Sequence, residues 1–312
     1  MTSASADDAG PQRVQSIPAR QHLPRPGEHR VNSVPDDSPS AAGDEATDGV
    51  FDAVRAGYDA VYTALPRSDT FSRLWRSNAY RGEFPAEFAH IGFLTIGEAQ
   101  RLLALLAPGP GDVVVDVACG TGGPGLWLAQ QTGASLVGVD PSPAGLAAAR
   151  QRAARTGLDD RSRFEQGSFE RTGLPGSSAD VVMSIEAFQY SPDKRAGLAE
   201  FARILRPGGR LGLICFEADP AKTRDLPILG VNPVGDYRPL LTSAGFDVLA
   251  YEETAGWAER VEAAFSVIVN AADVLAAEMG EQASASAVAE AMITLDVQPY
   301  PRRILAVASL PG

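Results

Sequence analysis

A glycine-rich loop follows a short apolar stretch near the middle of the chain. Residues 113–125 read Val-Val-Val-Asp-Val-Ala-Cys-Gly-Thr-Gly-Gly-Pro-Gly. The three valines before Asp116 predict a parallel strand buried on both faces, because such strands are continuously apolar. Gly120 and Gly122 let the backbone turn sharply and approach a ligand, and Pro124 fits the first turn of a helix. The pattern therefore predicts a strand, a loop and a helix that bind a ligand.

The carboxylate of Asp116 bears on which ligand binds. The spacing of Gly120, Gly122 and Gly125 is that of dinucleotide sites, where a pyrophosphate lies against the helix N-terminus. Like charges 4 Å apart repel by about 4 kcal/mol at an effective dielectric near 20. Asp116 therefore disfavours a pyrophosphate and favours a cationic ligand, such as one with an ammonium and a sulfonium.

A second carboxylate follows the loop by about 20 residues. Residues 135–140 predict the next strand, which ends at Asp140. A carboxylate in this place can accept two hydrogen bonds from the hydroxyls of a ribose, in nicotinamide sites and in others. Asp140 is thus predicted to contact a nucleoside without identifying the cofactor. Ser142 and Pro143 predict the N-cap and first residue of the next helix.

Three further residues are candidates for acid–base chemistry. Glu186 ends the predicted fourth strand and Tyr190 follows it, and ligands of open α/β sheets bind at the carboxyl ends of strands. Glu186 can bind a substrate hydroxyl, take a proton, or stabilise positive charge on an alkene attacked by methyl. The alternative is a surface carboxylate that caps the next helix. His90 is the histidine of the predicted folded part, and its ordinary pKa suits a general base. The alternative is an imidazole packed in a helical layer.

The loop resembles the first motif of the class I S-adenosylmethionine-dependent methyltransferases. That motif usually reads Asp/Glu-x-Gly-x-Gly-x-Gly, and here Ala118 replaces its first glycine. By this resemblance the backbone around Gly120 and Gly122 holds the methionine end of the cofactor. In the family an Asp often accepts the adenine amino group after the third strand, where this chain has Ser168, and Phe169 would cover the purine.

Two later stretches extend the resemblance. Residues 184–194 read Ser-Ile-Glu-Ala-Phe-Gln-Tyr-Ser-Pro-Asp-Lys. They resemble a Ser-x-Glu-x-x-x-His-x-Pro-Asp-Lys pattern of C-methyltransferases that act on sterols, tocopherols and related natural products, with Tyr190 at the histidine position. Residues 203–211, Arg-Ile-Leu-Arg-Pro-Gly-Gly-Arg-Leu, resemble a structural motif of the same family. The aromatic faces of Tyr58 and Tyr62 can also attract a sulfonium.

These observations give one set of candidate residues. The candidate catalytic residues are Glu186, Tyr190 and His90. The candidate cofactor contacts are Asp116, Ala118, Gly120, Gly122, Asp140, Pro141, Ser168, Phe169, Ser184 and Tyr58. Two cysteines and one histidine in the folded part cannot form a usual zinc site, so no metal is expected.

The elements that position these residues predict an α/β fold. We expect a single Rossmann-like methyltransferase domain with a seven-stranded, mostly parallel sheet, whose last strand is antiparallel by resemblance. A helix is expected to begin at Ser191 and Pro192, and two helices that split near Gly280 should precede the last strand. The predicted parts are a disordered extension (1–48), a helical cap (49–107), a cofactor-binding core (108–218), a substrate loop and helical lid (219–300), and the last strand (301–312).

Composition narrows the function. The chain has 312 residues, 45% of them hydrophobic, and a net charge of −12. This charge disfavours nucleic acid as a partner. Cys119 and Cys215 fall in predicted core elements, which favours a reducing cytoplasm over a disulfide framework. No apolar run of 18 residues or more predicts a membrane span.

The expected reaction is methyl transfer from S-adenosylmethionine to an O, C or N atom of a small, mostly apolar metabolite. Its expected setting is bacterial secondary metabolism, with a small-molecule substrate and a homodimer as the candidate assembly. Three alternatives stay open at this point. They are a cyclase or rearrangement enzyme that uses the bound sulfonium without methyl transfer, an NAD(P)-dependent oxidoreductase, and a noncatalytic cofactor sensor.

Overall fold

A seven-stranded sheet organises the fold in this computed structural model, which describes residues 41–223, 232–298 and 301–312. The strands are β1 (Val113–Val117), β2 (Ser135–Asp140), β3 (Ser162–Gln166), β4 (Ala179–Ile185), β5 (Leu205–Ala218), β6 (Asp247–Glu253) and β7 (Pro301–Ser309). Their order in the sheet is β3-β2-β1-β4-β5-β7-β6. Strands β1 to β5 pair in parallel, whereas β7 is antiparallel to both β5 and β6. The predicted fold class is confirmed, including the antiparallel last strand.

Helices cover both faces of the sheet and extend beyond its carboxyl-terminal edge. The described α-helices are α1 (Ala41–Ala64), α2 (Asp69–Ala79), α3 (Ile96–Leu106), α4 (Gly123–Thr132), α5 (Pro143–Thr156), α6 (Lys194–Ile204), α7 (Pro220–Thr223), α8 (Arg238–Ser243), α9 (Trp257–Asn270), α10 (Ala272–Met279) and α11 (Glu281–Val297). Short 3-10 helices occur at Leu65–Arg67, Ala86–Phe88 and Phe188–Tyr190. The described residues belong to one compact unit that spans residues 40–312.

The order of the strands reverses beside β1, and this reversal places the site. Strand β1 lies between β2 and β4, so chain connections leave it in both directions. Parallel sheets form a crevice outside the carboxyl ends of the strands at such a point. The glycine loop after β1 and Glu186 after β4 therefore meet at the same edge.

Local sequence determines where the helices begin. The Ser142 hydroxyl accepts a hydrogen bond from Gly145 N (3.0 Å), as expected for the N-cap of α5. The helix after β4 begins at Lys194 rather than at the expected Ser191 and Pro192. Asp193 is its N-cap, because its carboxylate accepts hydrogen bonds from the backbone of residues 195 and 196.

The remaining differences concern boundaries. Helix α1 begins at Ala41, before the expected start at residue 49, and the rest of the predicted extension lies outside the described residues. Three helices, not two, precede the last strand, because the chain also breaks at Ala271 between α9 and α10. Residues 224–231 of the predicted substrate loop lie outside the described residues. The division into cap, core and lid stays a prediction.

Candidate active site

A cavity of about 220 Å³ lies at the carboxyl-terminal edge of the sheet. One end, here called the cofactor end, is lined by Asp116, Ala118, Gly120, Asp140, Pro141 and Phe169. The other end, here called the acceptor end, is lined by Tyr58, Trp75, Glu186, Tyr190, Phe265 and Glu290. The cavity thus joins residues that follow β1 and β2 with residues on α1, α2, α9 and α11.

Backbone amides hold Asp140 at the cofactor end. Its carboxylate accepts hydrogen bonds from Gly120 N (2.7 Å) and Ser142 N (2.8 Å). Burial raises the pKa of Asp140 to about 6, although these two amides act in the opposite direction. Asp140 therefore links the glycine loop to the start of α5, and it lines the cavity where the sequence predicts a nucleoside contact.

Asp116 is buried beneath the loop, with 2% of its surface exposed. Burial, followed by the nearby charge of Asp140, raises the pKa of Asp116 to about 8, while the Gly125 backbone N–H lowers it. The carboxyl group is therefore largely protonated at neutral pH. The negative charge on which the sequence-based preference for a cation rested is mostly absent in the ligand-free protein.

The loop has a left-handed backbone at the three positions of the motif. The φ angles of Ala118, Gly120 and Gly122 are 62°, 52° and 76°. L-residues with a Cβ pay about 1–2 kcal/mol in this region, so the glycine usually found at position 118 has a backbone role. Gly122 is the N-cap of α4 and does not line the cavity, whereas Ala118 and Gly120 do.

Helix α1 covers the glycine loop. A Cβ added to Gly120 would lie 2.6 Å from the Tyr62 hydroxyl oxygen. The helix is fixed to the start of α5 by Asp59, which accepts hydrogen bonds from the Ser142 hydroxyl (2.5 Å) and Ala144 N (3.3 Å). Tyr58 and Tyr62 thereby face the cavity beside the loop.

The other predicted cofactor contacts differ in placement. Pro141 and Phe169 line the cavity, and the Phe169 ring packs edge-on against Phe188 at 5.7 Å. Ser168 is not among the lining residues, and its hydroxyl accepts a hydrogen bond from Arg171 N (3.2 Å). Ser184 is fully buried in β4, and its hydroxyl has no hydrogen-bond partner among the described residues. Their roles as cofactor contacts stay predictions.

Glu186 faces the cavity but is bound by an arginine. Its carboxylate accepts hydrogen bonds from the fully buried Arg303 (2.6 Å) and from Phe93 N (2.5 Å). Burial raises the pKa of Glu186, while the Arg303 guanidinium and the Phe93 amide lower it. The residue also has a left-handed φ of 56°. These contacts make Glu186 an anchor for the segment at Phe93, and its predicted role in proton transfer stays a prediction.

The ion pair of Glu186 is part of a larger network. Arg303 also donates hydrogen bonds to Glu98 (2.9 Å) and to the Thr254 hydroxyl (2.8 Å). Glu98 pairs in turn with Arg260 on α9 (2.6 Å) and completes the capping box at the start of α3. This network ties α3, α9 and β7 to the cavity wall.

His90 packs between aromatic rings. Its imidazole stacks on Tyr80 at 4.7 Å and meets Phe84 edge-on at 4.6 Å. Both ring nitrogens are buried and make no hydrogen bond of good geometry with the described residues. Burial lowers the pKa of His90 to about 4, which backbone groups at Phe88 and Leu94 partly oppose. Its catalytic role stays a prediction, and this environment weighs against it.

Tyr190 belongs to a cluster with Tyr58 and Glu290, here called the Tyr–Glu cluster. Glu290 Oε1 accepts hydrogen bonds from the hydroxyls of Tyr58 (2.9 Å) and Tyr190 (3.3 Å). The two hydroxyls lie 3.4 Å apart. Burial raises the pKa of Glu290, and the two tyrosines lower it. The cluster therefore presents a half-buried carboxylate whose hydrogen-bond partners among the described residues are neutral tyrosines.

A second cavity of about 290 Å³ meets the first at this cluster. Tyr58, Tyr190 and Glu290 line both cavities. The rest of the second cavity is mostly apolar, with Val61, Phe71, Trp75, Phe265, Ile268 and Ala287 in its wall. The arrangement can bury an apolar molecule while one polar group of that molecule meets the cluster.

Sequence reasoning missed Glu290 and Arg303. Both have a signal in the sequence. Glu290 follows Ala283 and Ala287 on the apolar stripe of α11, where a lone carboxylate is unusual. Arg303 begins a continuously apolar run in β7, and an unpaired charge in such a strand would be costly.

Two kinds of feature are absent from the described residues, a membrane-spanning helix and a group of metal ligands. Among the helices of residues 41–223 and 232–298, none is long and apolar enough to cross a membrane. In the described part of the chain, no three His, Cys, Asp or Glu side chains are grouped so that they could hold a metal ion.

Comparisons with known proteins agree with this geometry. Residues 114–209 match a family described as a methyltransferase domain. The chain is 30% identical over 210 residues to the 27-O-demethylrifamycin SV methyltransferase of Amycolatopsis mediterranei (strain S699), covering 64% of this chain and 75% of that protein.

Solved structures share the fold at lower identity. The cyclase SpnF has a TM-score of 0.59 at 21% identity, over 68% of this chain and 79% of that one. A geranyl diphosphate methyltransferase in complex with S-adenosylmethionine has a TM-score of 0.53 at 22% identity, over 68% of this chain and 84% of that one.

Proposed function

This chain belongs to the class I S-adenosylmethionine-dependent methyltransferases of small molecules, and on that premise we propose that it methylates a hydroxyl oxygen of a mostly apolar metabolite. The observation that carries the proposal is the continuity of the cavity, which runs from the glycine loop to an aromatic wall. The enzyme transfers a methyl group to a small molecule. The acceptor atom, the substrate class and the setting are what we propose here.

The cofactor end fits S-adenosylmethionine. The bound cofactor supplies an electrophilic methyl group on a sulfonium. Gly120 lacks the Cβ that would come within 2.6 Å of Tyr62, so the space above the loop depends on glycine. We assign the loop backbone at Ala118 and Gly120 to the methionine part, Asp140 to the ribose and Phe169 to the adenine. Tyr58 and Tyr62 would face the sulfonium.

The acceptor end favours an apolar substrate. Its wall includes Trp75, Phe93 and Phe265, and the second cavity adds further apolar surface. The cations among the described lining residues are Arg55, which pairs with Asp52, and Lys194, which donates to the carbonyls of Gln189 and Ser191. A diphosphate would find few donors in this part of the site, so we do not extend the geranyl diphosphate substrate of the structural neighbour to this chain.

The similar relative supports our proposal of an oxygen acceptor and a natural-product setting. The protein from Amycolatopsis is named for O-methylation of a rifamycin, and the chain spans 75% of its length. In this account the chain's residues act mainly by aligning the acceptor oxygen with the methyl group and by excluding water. We further propose that the substrate is a bacterial secondary metabolite. Cytoplasmic location, a homodimer and the absence of a nucleic-acid partner stay predictions.

Labelled cofactor tests the proposal. Purified protein is incubated with deuterated-methyl S-adenosylmethionine and a panel of mostly apolar hydroxylated compounds that includes 27-O-demethylrifamycin SV. Each compound is matched by an analogue whose hydroxyl groups are blocked. We expect a mass increase of one labelled methyl in at least one hydroxylated compound and in none of the blocked ones. Label in the blocked analogues, or in amines only, would contradict an oxygen acceptor.

The same experiment separates the alternatives. A cyclase that holds the cofactor as a cation would give an isomer of the substrate with no label. An oxidoreductase would bind NAD and not S-adenosylhomocysteine, which calorimetry distinguishes. A sensor would bind S-adenosylhomocysteine and give no new product with any compound of the panel.

A further inference from the structure

We propose that Glu290 is the general base that takes the proton from the acceptor hydroxyl, with Tyr58 and Tyr190 holding its carboxylate in place. This inference rests on the proposed hydroxyl acceptor and adds the residue that activates it. None of the sequence motifs includes Glu290.

The position of Glu290 favours a role as a base. The Glu290 carboxylate lies where the two cavities meet, between the mostly apolar second cavity and the first cavity, which reaches the glycine loop. Among the described residues that line both cavities, Glu290 is the one that carries a carboxylate, so a hydroxyl group of an apolar molecule in the second cavity can lie beside it. A base must come within hydrogen-bond reach of the proton that it takes. In this proposal the acceptor hydroxyl therefore binds at the junction of the two cavities.

The two oxygens of Glu290 have different surroundings. Oε1 accepts hydrogen bonds from Tyr58 and Tyr190. Oε2 accepts none from the described residues, and the side chain that carries it lines both cavities. The tyrosines therefore fix the plane of the carboxylate and leave one oxygen to receive a proton.

The contrast with Glu186 supports the assignment. Glu186 also lines the cavity, but Arg303 and the Phe93 amide occupy its oxygens. The titratable groups that face Glu290 are Tyr58 and Tyr62 from α1 and Tyr190 from the turn after β4. Helix α9 contributes two apolar residues, Phe265 and Ile268, to the wall of the second cavity. Among the described residues Glu290 has no cationic partner that would hold it ionised.

The proposed step balances. The acceptor oxygen forms a bond to the methyl carbon while the carbon–sulfur bond breaks, and the electron pair of that bond stays on sulfur. The hydroxyl proton moves to Glu290 Oε2. The positive charge of the sulfonium and the negative charge of the carboxylate are both removed, which leaves a neutral ether, a neutral sulfide and a carboxylic acid. Water then takes the proton from Glu290 after the product leaves.

Glu290→Gln tests the base. The amide can still accept hydrogen bonds from the tyrosines through its oxygen, but it cannot take a proton. We expect kcat with the labelled hydroxyl acceptor to fall about 10²- to 10⁴-fold, while the Kd for S-adenosylhomocysteine changes less than threefold by calorimetry. Asp296→Asn is the matched control, because Asp296 is an exposed acid on the same helix outside both cavities.

The pH dependence gives a second signature. In the wild type kcat should rise with pH through the pKa of Glu290, and this acid limb should vanish in Glu290→Gln. Tyr58→Phe removes a donor that lowers the pKa of Glu290, so the limb should move to higher pH. Infrared difference spectra of wild type against Glu290→Gln, with S-adenosylhomocysteine bound, give the same pKa directly from the carboxylic acid band and require no turnover.

The outcomes separate this inference from the proposed function. A wild type that labels no hydroxyl compound overturns both. If the wild type labels a hydroxyl compound, three results overturn the inference alone. These are a Glu290→Gln variant that keeps a third or more of the wild-type kcat, a loss of cofactor affinity as large as the loss of kcat, or an infrared pKa more than one unit from the acid limb.

Discussion

The two ends of the cavity are built by different means. At the cofactor end the contacts are local, and Asp140 accepts from amides 2 and 20 residues away in sequence. At the acceptor end side chains meet across the chain, with Tyr58 and Glu290 232 residues apart and Glu186 and Arg303 117 residues apart. The cofactor end is therefore a property of a short backbone motif, whereas the acceptor end exists only in the complete fold.

Glu186 and Glu290 line the same cavity but have different partners. The Glu186 side chain is 7% exposed and forms an ion pair with the fully buried Arg303. Its charge therefore stabilises the wall of the cavity. Among the described residues, the hydrogen-bond partners of Glu290 are the hydroxyls of Tyr58 and Tyr190. The same residue type thus anchors one wall, and at the other wall it is the base that we propose.

The largest expected effect comes from breaking the side-chain network. Arg303→Met leaves Glu186 and Glu98 buried without their shared cation, and breaking a buried pair from one side costs about 3–5 kcal/mol. Urea unfolding at pH 7 measures the change. Arg101→Gln is the control, because its pair with Glu252 is largely exposed and should contribute little. A loss below about 1 kcal/mol for Arg303→Met would mean that the network does not support the acceptor end.

The next effect concerns pH and the cofactor end. Because the pKa of Asp116 is raised to about 8 in the folded protein, its contribution to stability is present at low pH and is lost as pH rises from about 4 to 8. Asp116→Asn removes this dependence. Between pH 5 and pH 8 we expect the wild type to lose roughly 2–4 kcal/mol of unfolding free energy relative to the variant. Parallel slopes in ligand-free protein would contradict a protonated Asp116.

Asp140→Asn should weaken cofactor binding, because Asp140 holds the glycine loop and is the residue that we assign to the ribose. An amide side chain cannot accept from Gly120 N and Ser142 N equally well, and hydrogen bonds to a charged group contribute about 1.5–3 kcal/mol. We expect the Kd for S-adenosylhomocysteine to rise about 10- to 100-fold in calorimetry. The control is Asp159→Asn, on the exposed turn after α5. Unchanged affinity in Asp140→Asn would separate this residue from the cofactor site.

The smallest expected effect concerns the backbone conformation at Ala118. Ala118 has a left-handed φ of 62° that glycine adopts at less cost. Ala118→Gly should raise the unfolding free energy by about 0.5–1 kcal/mol and leave the affinity for S-adenosylhomocysteine unchanged. Ala107→Gly, at the left-handed C-cap of α3, is a matched substitution away from the cavity. A destabilised Ala118→Gly would show that the Cβ, rather than the φ angle, matters at this position.

The fold around the cofactor end could be predicted from the sequence for a physical reason, whereas the cofactor contacts themselves stay predictions. The valines of β1, the glycines after it and Asp140 act through backbone conformation and contacts within about 30 residues, and such patterns are visible in a single chain. The fold class, the sheet and the caps at Ser142 follow from the same local rules. Ala118 shows the limit, since the sequence shows only that alanine replaces a glycine, whereas the structure shows that this alanine has a left-handed φ angle.

The acceptor end could be predicted only in part. Tyr58, Tyr190 and Glu186 were found because they stand in recognisable patterns, but no local rule pairs Glu186 with Arg303 or brings Glu290 to the tyrosines. The break at Ala271 has a similar origin, because α9 and α10 are set by packing against α2 and α11 rather than by a glycine or proline. Contacts between distant segments therefore decide that Arg303 pairs with Glu186 and that Glu290 meets the two tyrosines.

The central claim is methyl transfer to a hydroxyl oxygen in this cavity, and one spectrum tests it directly. The product formed with ¹³C-methyl S-adenosylmethionine and the best acceptor of the panel is examined by ¹³C NMR. The account predicts a single enriched signal at the chemical shift of a methoxy carbon, with a coupling path to the carbon that carried the hydroxyl. An enriched signal typical of a methyl group on carbon or nitrogen, or an isomerised product without enrichment, would contradict it.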